Sequence, residues 1–116
     1  MSERHITYRR EIKVSRGDLE AARAGRKMCT IRLGTAAVAS KHIDLTDGSS
    51  RLKVEVTRTD TSKKFGQMGM EEAQGEGFSS IAELRSDLMR YYRDLDDEKA
   101  VTVIWFVPAD SPSART

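Results

Sequence analysis

The stretch Gly25-Arg26-Lys27-Met28-Cys29-Thr30-Ile31-Arg32 decides the reading of this chain. A helix is predicted to end at Gly25, because glycine enters the left-handed backbone of a helix C-terminus without steric cost. A strand is predicted directly after it. Residues 28–33, MCTIRL, are rich in β-formers, and alternation puts Cys29, Ile31 and Leu33 on a core face and Met28, Thr30 and Arg32 on the other. Lys27 therefore falls in the helix-to-strand turn. A fully extended chain would set Lys27 and Thr30 on opposite faces. A turn at 26–28 instead brings the Lys27 amine over the Thr30 hydroxyl, with Arg32 further along the same face. A Lys, a Thr and an Arg converging on one cleft can recognise a polar anionic or carbonyl-bearing ligand.

Working outward, residues 6–14, ITYRREIKV, alternate loosely and read as a first strand. Ser15 is an N-cap with Asp18 in the first helical turn, opening a short Ala-rich helix that runs to Gly25. Residues 36–45 have no decisive period. Thr46-Asp47-Gly48-Ser49 is a turn, and RLKVEVTRT over 51–59 alternates with Leu52, Val54 and Val56 on one face, so a hairpin crosses 46–50. TSKKFGQMG reads as a flexible stretch. Met70 to Gly75 is long enough for one helical turn. Ser80-Ile81-Ala82-Glu83 has the spacing of a capping box, and Ile81, Leu84, Leu88 and Tyr92 behind it form one apolar stripe. After a charged loop at 94–99, VTVIWFV over 101–107 is a buried final strand ended by Pro108. The expected architecture is α+β: a small mixed β-barrel of about five or six strands with flanking helices and a cleft where a helix meets a strand mouth. One domain fills 1–107, and 108–116 is a disordered tail.

The 116 residues suffice for one real core. One cysteine, Cys29, excludes an intramolecular disulfide, and one Cys with two distant histidines, His5 and His42, offers no metal-ligand spacing. No metal and no cofactor are expected. No apolar run is long enough to span a bilayer, and the N-terminus lacks a secretory h-region, which points to a cytoplasmic protein without a membrane partner. The net charge of +2 hides a split: residues 1–64 carry +7 and residues 65–116 carry −5. A basic half suits an anionic partner such as RNA or a nucleotide, and equally suits neutralisation by the acidic half across a small fold. The oligomeric state is not legible.

Gly25, Lys27, Thr30 and Arg32 resemble the signature of the ASCH domain family, roughly G-x-K-x-x-T-x-R after a short helix. The likeness continues through Glu71-Glu72-Ala73-Gln74-Gly75-Glu76-Gly77-Phe78, the helix around Leu84–Tyr92 and the strand Val101–Phe106, covering roughly residues 16–107. It departs over 34–50, where GTAAVASKHIDLTDGSS replaces the Gly-Asp-containing turn of many members. The resemblance implies a PUA-like fold and a link to RNA binding. Some small bacterial members resemble amidohydrolases that deacetylate N(4)-acetylcytidine. That likeness implies Lys27, Thr30 and Glu76 as the catalytic set. Other members are described as ribonucleases using different basic residues.

The chemistry of that set also stands on the residues themselves. A threonine hydroxyl is a poor nucleophile until a base takes its proton, and a partly desolvated lysine beside Arg26 and Arg32 is pushed toward a useful base. A carboxylate across the cleft can protonate a leaving amine, while the two arginines hold a carbonyl or phosphate oxygen. Each residue has an ordinary reading too. Lys27 can be a surface lysine, Thr30 a β-former, Glu76 a helix-terminal charge, and Arg32 an ion-pair partner of Glu72 or Glu76. Three functions follow. One is a cleft that binds RNA or a modified nucleoside. The second is a metal-independent N(4)-acetylcytidine amidohydrolase. The third is a non-catalytic regulatory or scaffold protein. A polynucleotide binder needs a basic strip outside the cleft, for which Arg9, Arg10, Lys13, Lys63 and Lys64 are the candidates.

Overall fold

The computed structural model describes residues 8–34, 37–38 and 40–110. Among these residues seven strands and three α-helices follow in the order β1 (Tyr8–Arg9), β2 (Glu11–Lys13), α1 (Arg16–Arg23), β3 (Cys29–Leu33), β4 (Ala37–Val38), β5 (His42–Thr46), β6 (Arg51–Lys64), α2 (Met70–Gly75), α3 (Ile81–Tyr91) and β7 (Ala100–Pro108). Five strands form one curled half-barrel sheet in the order β2-β5-β6-β7-β3, and β1 and β4 make a separate two-stranded parallel pair. Only β2 and β5 run parallel within the main sheet; the other neighbours are antiparallel. The mixed α+β half-barrel with flanking helices is the architecture expected from sequence.

β7 organises the core because both its faces are buried. Val101 and Val103 pack with Cys29, Ile31, Phe65, Leu84 and Leu88 under α2 and α3. Ile104 and Phe106, on the opposite face, pack with Ile12, Leu19, Ala22, Ile43, Leu45 and Val54 beneath α1. A strand buried on both sides reads as a continuous apolar run, which is why VTVIWFV shows no alternation.

The helices form where their caps dictate. The Ser15 side chain accepts from the Asp18 N–H at 3.1 Å, and the Ser80 side chain accepts from the Glu83 N–H at 3.1 Å. The hairpin at 46–50 is present, with Thr46 opposite Arg51. Its turn is tied by the Asp47 carboxylate, which accepts from the Ser49 and Ser50 N–H groups at 2.8 and 2.7 Å.

Four expectations change. The stretch after residue 59 is not a free linker. β6 continues to Lys64 along β7 with irregularities between Val56 and Arg58 and between Asp60 and Lys63, and Phe65–Gln67 form a 3-10 turn leading into α2. Leu33 is not a core residue; it is 44% exposed at the end of β3, past the apolar cluster. The first strand is interrupted at Arg10, which splits it into β1 and β2. Pro108 is the last residue of β7 rather than a stop before it, and the Ala109 N–H donates to the Lys53 carbonyl at 3.0 Å. His5 and tail residues 111–116 lie outside the described residues.

Candidate functional site

The end of α1 shapes the site. Gly25 adopts a left-handed φ of 81°, and the Arg26 and Lys27 N–H groups both donate to the Ala21 carbonyl, at 2.8 and 3.2 Å. This closes the helix as a tight C-terminal turn and directs the chain straight into β3. The Met28 N–H then donates to the Gly75 carbonyl at 2.6 Å, and the Met28 carbonyl accepts from the Phe106 N–H at 2.9 Å. Lys27 is thus held between a helix end, a strand start and α2, and it is only 3% exposed. The chain turns at residues 24–26, just before the expected 26–28, and Lys27 and Thr30 line one cleft without a hydrogen bond between them.

Lys27 Nζ forms an ion pair with Glu76 Oε1, the carboxylate on the C-cap of α2. Burial pulls the Lys27 amine below its ordinary value. The nearby Asp18, Cys29 and Asp87 act in the opposite direction, and Arg32 reinforces the lowering. Thr30 is buried at 3% exposure and lines the same cleft; among the described residues no hydrogen bond engages its hydroxyl.

The cleft has a volume of about 440 Å³. Lys13, Val14 and Ser15 wall it from the end of β2, Asp18 from α1, and Lys27, Thr30, Ile31 and Arg32 from the turn and β3. Glu76 and Phe78 close the α2 side, and Asp87, Leu88, Tyr91 and Tyr92 supply the α3 side. Three cationic side chains, Lys13, Lys27 and Arg32, face three carboxylates, Asp18, Glu76 and Asp87. The lining is therefore formally neutral, with an aromatic rim.

Arg32 has a different partner from either carboxylate considered for it. Its Nη2 donates to the Lys13 carbonyl at 2.8 Å, reaching from β3 to β2, the two outer strands of the sheet. Its Nε is buried without a hydrogen-bond partner among the described residues. Lys27, Thr30, Arg32 and Glu76 are thus brought together. Arg26, Lys63 and Lys64 are not: Arg26 is exposed outside the lining, Lys63 Nζ contacts Glu72 Oε2 at 3.1 Å, and Lys64 Nζ contacts Glu98 Oε1 at 2.9 Å. Trp105 does not line the cleft either; it lies under the Arg58 guanidinium and donates from Nε1 to Asp60 at 3.2 Å.

Sequence reasoning missed Asp18, Asp87 and Tyr91 as cleft residues. Asp87 and Tyr91 are spaced i,i+4 on α3, beside the Leu88–Tyr92 pair, so they flank the apolar stripe on one side. That spacing was the available signal. Asp18 was legible only as a charge at a helix start. Among the described residues no group of three or more His, Cys, Asp or Glu is placed to hold a metal ion, and no helix is long and apolar enough to cross a membrane.

No protein-family model matches the chain, and no curated protein matches it. Two solved structures are similar. The hypothetical protein PH0355 is 23% identical over 84% of this chain and 96% of its own, with a TM-score of 0.67. Protein EF3133 from Enterococcus faecalis V583, described under the family DUF984, is 15% identical over 77% of this chain and 64% of its own, with a TM-score of 0.65. At these identities the likeness is one of fold: both neighbours share the mixed α+β half-barrel described above.

Proposed function

We propose that this chain is an ASCH-type amidohydrolase whose cleft binds a modified nucleoside and removes the acyl group of N(4)-acetylcytidine. The observation that carries the reading is the buried Lys27–Glu76 pair on the same cleft wall as the unengaged Thr30 hydroxyl. Burial pulls the Lys27 amine below its ordinary value and so favours its neutral form, and passage of its proton to Glu76 within the pair gives a base and an acid side by side. Lys27 takes the Thr30 proton as Oγ1 attacks the acyl carbonyl. The ammonium so formed stands next to the developing oxyanion. Glu76 gives its proton to the departing N4 amine as the C–N bond breaks, leaving acetyl-Thr30. Water then attacks that ester and gives its proton to the Glu76 carboxylate, the Lys27 ammonium returns a proton to Thr30 Oγ1 as the C–O bond breaks, and the acetic acid released ionises to acetate in solvent.

The neutral lining favours an uncharged polar ligand over a polyanion, and Phe78, Tyr91 and Tyr92 suit a planar base. The pairing of Lys63 with Glu72 and Lys64 with Glu98 weakens the case for a basic polynucleotide strip. The test is incubation of purified protein with N(4)-acetylcytidine and with short RNAs. Release of acetate and cytidine with time is expected. Saturable binding without loss of the acyl group would reduce the site to a nucleoside-binding module, and RNA binding alone would return the polynucleotide reading.

A further inference from the structure

Glu76 is carried on the last turn of a helix of only six residues, and a helix that short cannot hold its own position through internal hydrogen bonds. What seats α2 lies at its two ends. At the start, Glu72 is 2% exposed; its Oε1 accepts from the Gly69 N–H at 2.6 Å and its Oε2 contacts Lys63 Nζ at 3.1 Å. At the end, the Gly75 carbonyl accepts from the Met28 N–H, and a Cβ at Gly75 would lie 2.7 Å from both Cys29 Sγ and Trp105 Cζ3. Backbone of α2 therefore touches side chains of β3 and β7 with no room for a methyl group. Met28 follows Lys27 and Gly75 precedes Glu76, so this bond joins the two peptide segments that bear the buried pair. The Glu76 N–H donates to the Glu72 carbonyl at 3.0 Å, which places the two glutamates one helical turn apart on one rail.

A buried ion pair contributes little net stability, since desolvation offsets most of its attraction, and its common use is to fix an arrangement. We propose that Lys63 and Glu72 are positioning residues: their ion pair anchors the start of α2 to the end of β6 so that Glu76 meets Lys27 in the cleft. The turnover arm of the test rests on the amidohydrolase reading, and the titration arm does not.

The variant is the double replacement Lys63→Met with Glu72→Gln, which leaves no unpaired buried charge and keeps an amide oxygen for the Gly69 N–H. The titration of Lys27 is followed by NMR at its Cε, in the parent and in this double background, each with and without Glu76→Gln. The other groups facing Lys27, namely Asp18, Cys29, Arg32 and Asp87, are the same in all four proteins. Glu76→Gln is expected to move the Lys27 midpoint by about one pH unit or more in the parent and by less than half of that in the double background. Equal shifts in both backgrounds would overturn the proposal. For N(4)-acetylcytidine, the double variant should lose about tenfold or more in kcat with KM within about threefold, as expected for a misplaced proton donor. An unchanged kcat would also overturn it. A parent without any turnover would sink the amidohydrolase reading alone, leaving the titration to decide. Single Glu72→Gln, which strands only the partly exposed Lys63, carries the same comparison when the double variant lacks a cooperative unfolding transition.

Discussion

Lys27 and Glu76 form an ion pair in which the two side chains are 3% and 8% exposed. Removing one partner of such a pair leaves an uncompensated buried charge, which costs about 3–5 kcal/mol. Lys27→Met should therefore destabilise strongly. Glu76→Gln should cost less, because burial already favours a neutral Lys27 amine. Lys27→Met combined with Glu76→Gln should recover part of the loss. Urea unfolding with an unchanged m-value checks the order of the three variants.

Two buried neighbours, Lys27 and Cys29, set opposite slopes of stability with pH. Burial lowers Lys27 from 10.5 and pushes the Cys29 thiol up from 9.0 to about 12. For Lys27 the unfolded chain binds the extra proton, so this contribution is present above 10.5 and lost as pH falls through the depressed value. For Cys29 the folded chain keeps the proton, so its contribution is full below 9.0 and lost as pH rises toward about 12. Because the Lys27 contribution grows over part of the same range, the readout is the difference between the parent and Cys29→Ala from about pH 7 to about pH 11: the parent should lose stability relative to the variant above pH 9. A difference that stays constant across the series would overturn this assignment to Cys29.

Chemistry and recognition separate within the cleft. Thr30→Val nearly keeps volume and removes the nucleophile, so turnover of N(4)-acetylcytidine should vanish, whereas Thr30→Ser should keep a measurable part. Lys27→Arg should be almost as damaging as Lys27→Ala, because a guanidinium does not act as a base near neutral pH. In a pure binding site Lys27→Arg would be mild, and Thr30→Val would cost about one hydrogen bond, ~0.5–1.5 kcal/mol of affinity. If Lys27→Arg turns over like the parent, the base role of Lys27 is wrong.

Salt distinguishes a nucleoside from a polymer. With Lys63 and Lys64 paired to Glu72 and Glu98, nucleoside affinity should change by less than about twofold between low and physiological salt, and Lys64→Ala should leave it alone. A polynucleotide held by about four or five phosphate contacts would instead give a slope of log K against log salt near −3 to −4. Equilibrium dialysis across a salt series reads the difference.

The parts of the fold legible in the sequence are those with a local signal. α1 and α3 announce themselves through Ser15 and Ser80, the 46–50 turn through Asp47, and β7 through its unbroken apolar run. The extension of β6 over residues 60–64 was not legible, because DTSKK has no apolar period; those residues are strand because β7 pairs with them. Lys27, Thr30 and Glu76 were legible as one concavity because a single turn at Gly25 aims the first two, and α2 brings the third. The occupied state of Lys63 and Lys64 was hidden, since their partners Glu72 and Glu98 are far along the chain and only the fold brings them near.

Arg32 reaching from β3 to the Lys13 carbonyl has a consequence for the behaviour of the chain toward its own copies. Among the described residues the main sheet ends in two edge strands, β2 of three residues and β3 of five, and a free strand edge is a template for pairing with another molecule. Here both edges contribute to the cleft wall, and each carries a cation there, Lys13 on one and Arg32 on the other. An incoming strand would have to break the 2.8 Å Arg32–Lys13 bond and lie against those charges to add to the sheet. The cations that line the hollow thus also guard the open side of the half-barrel against the addition of a strand.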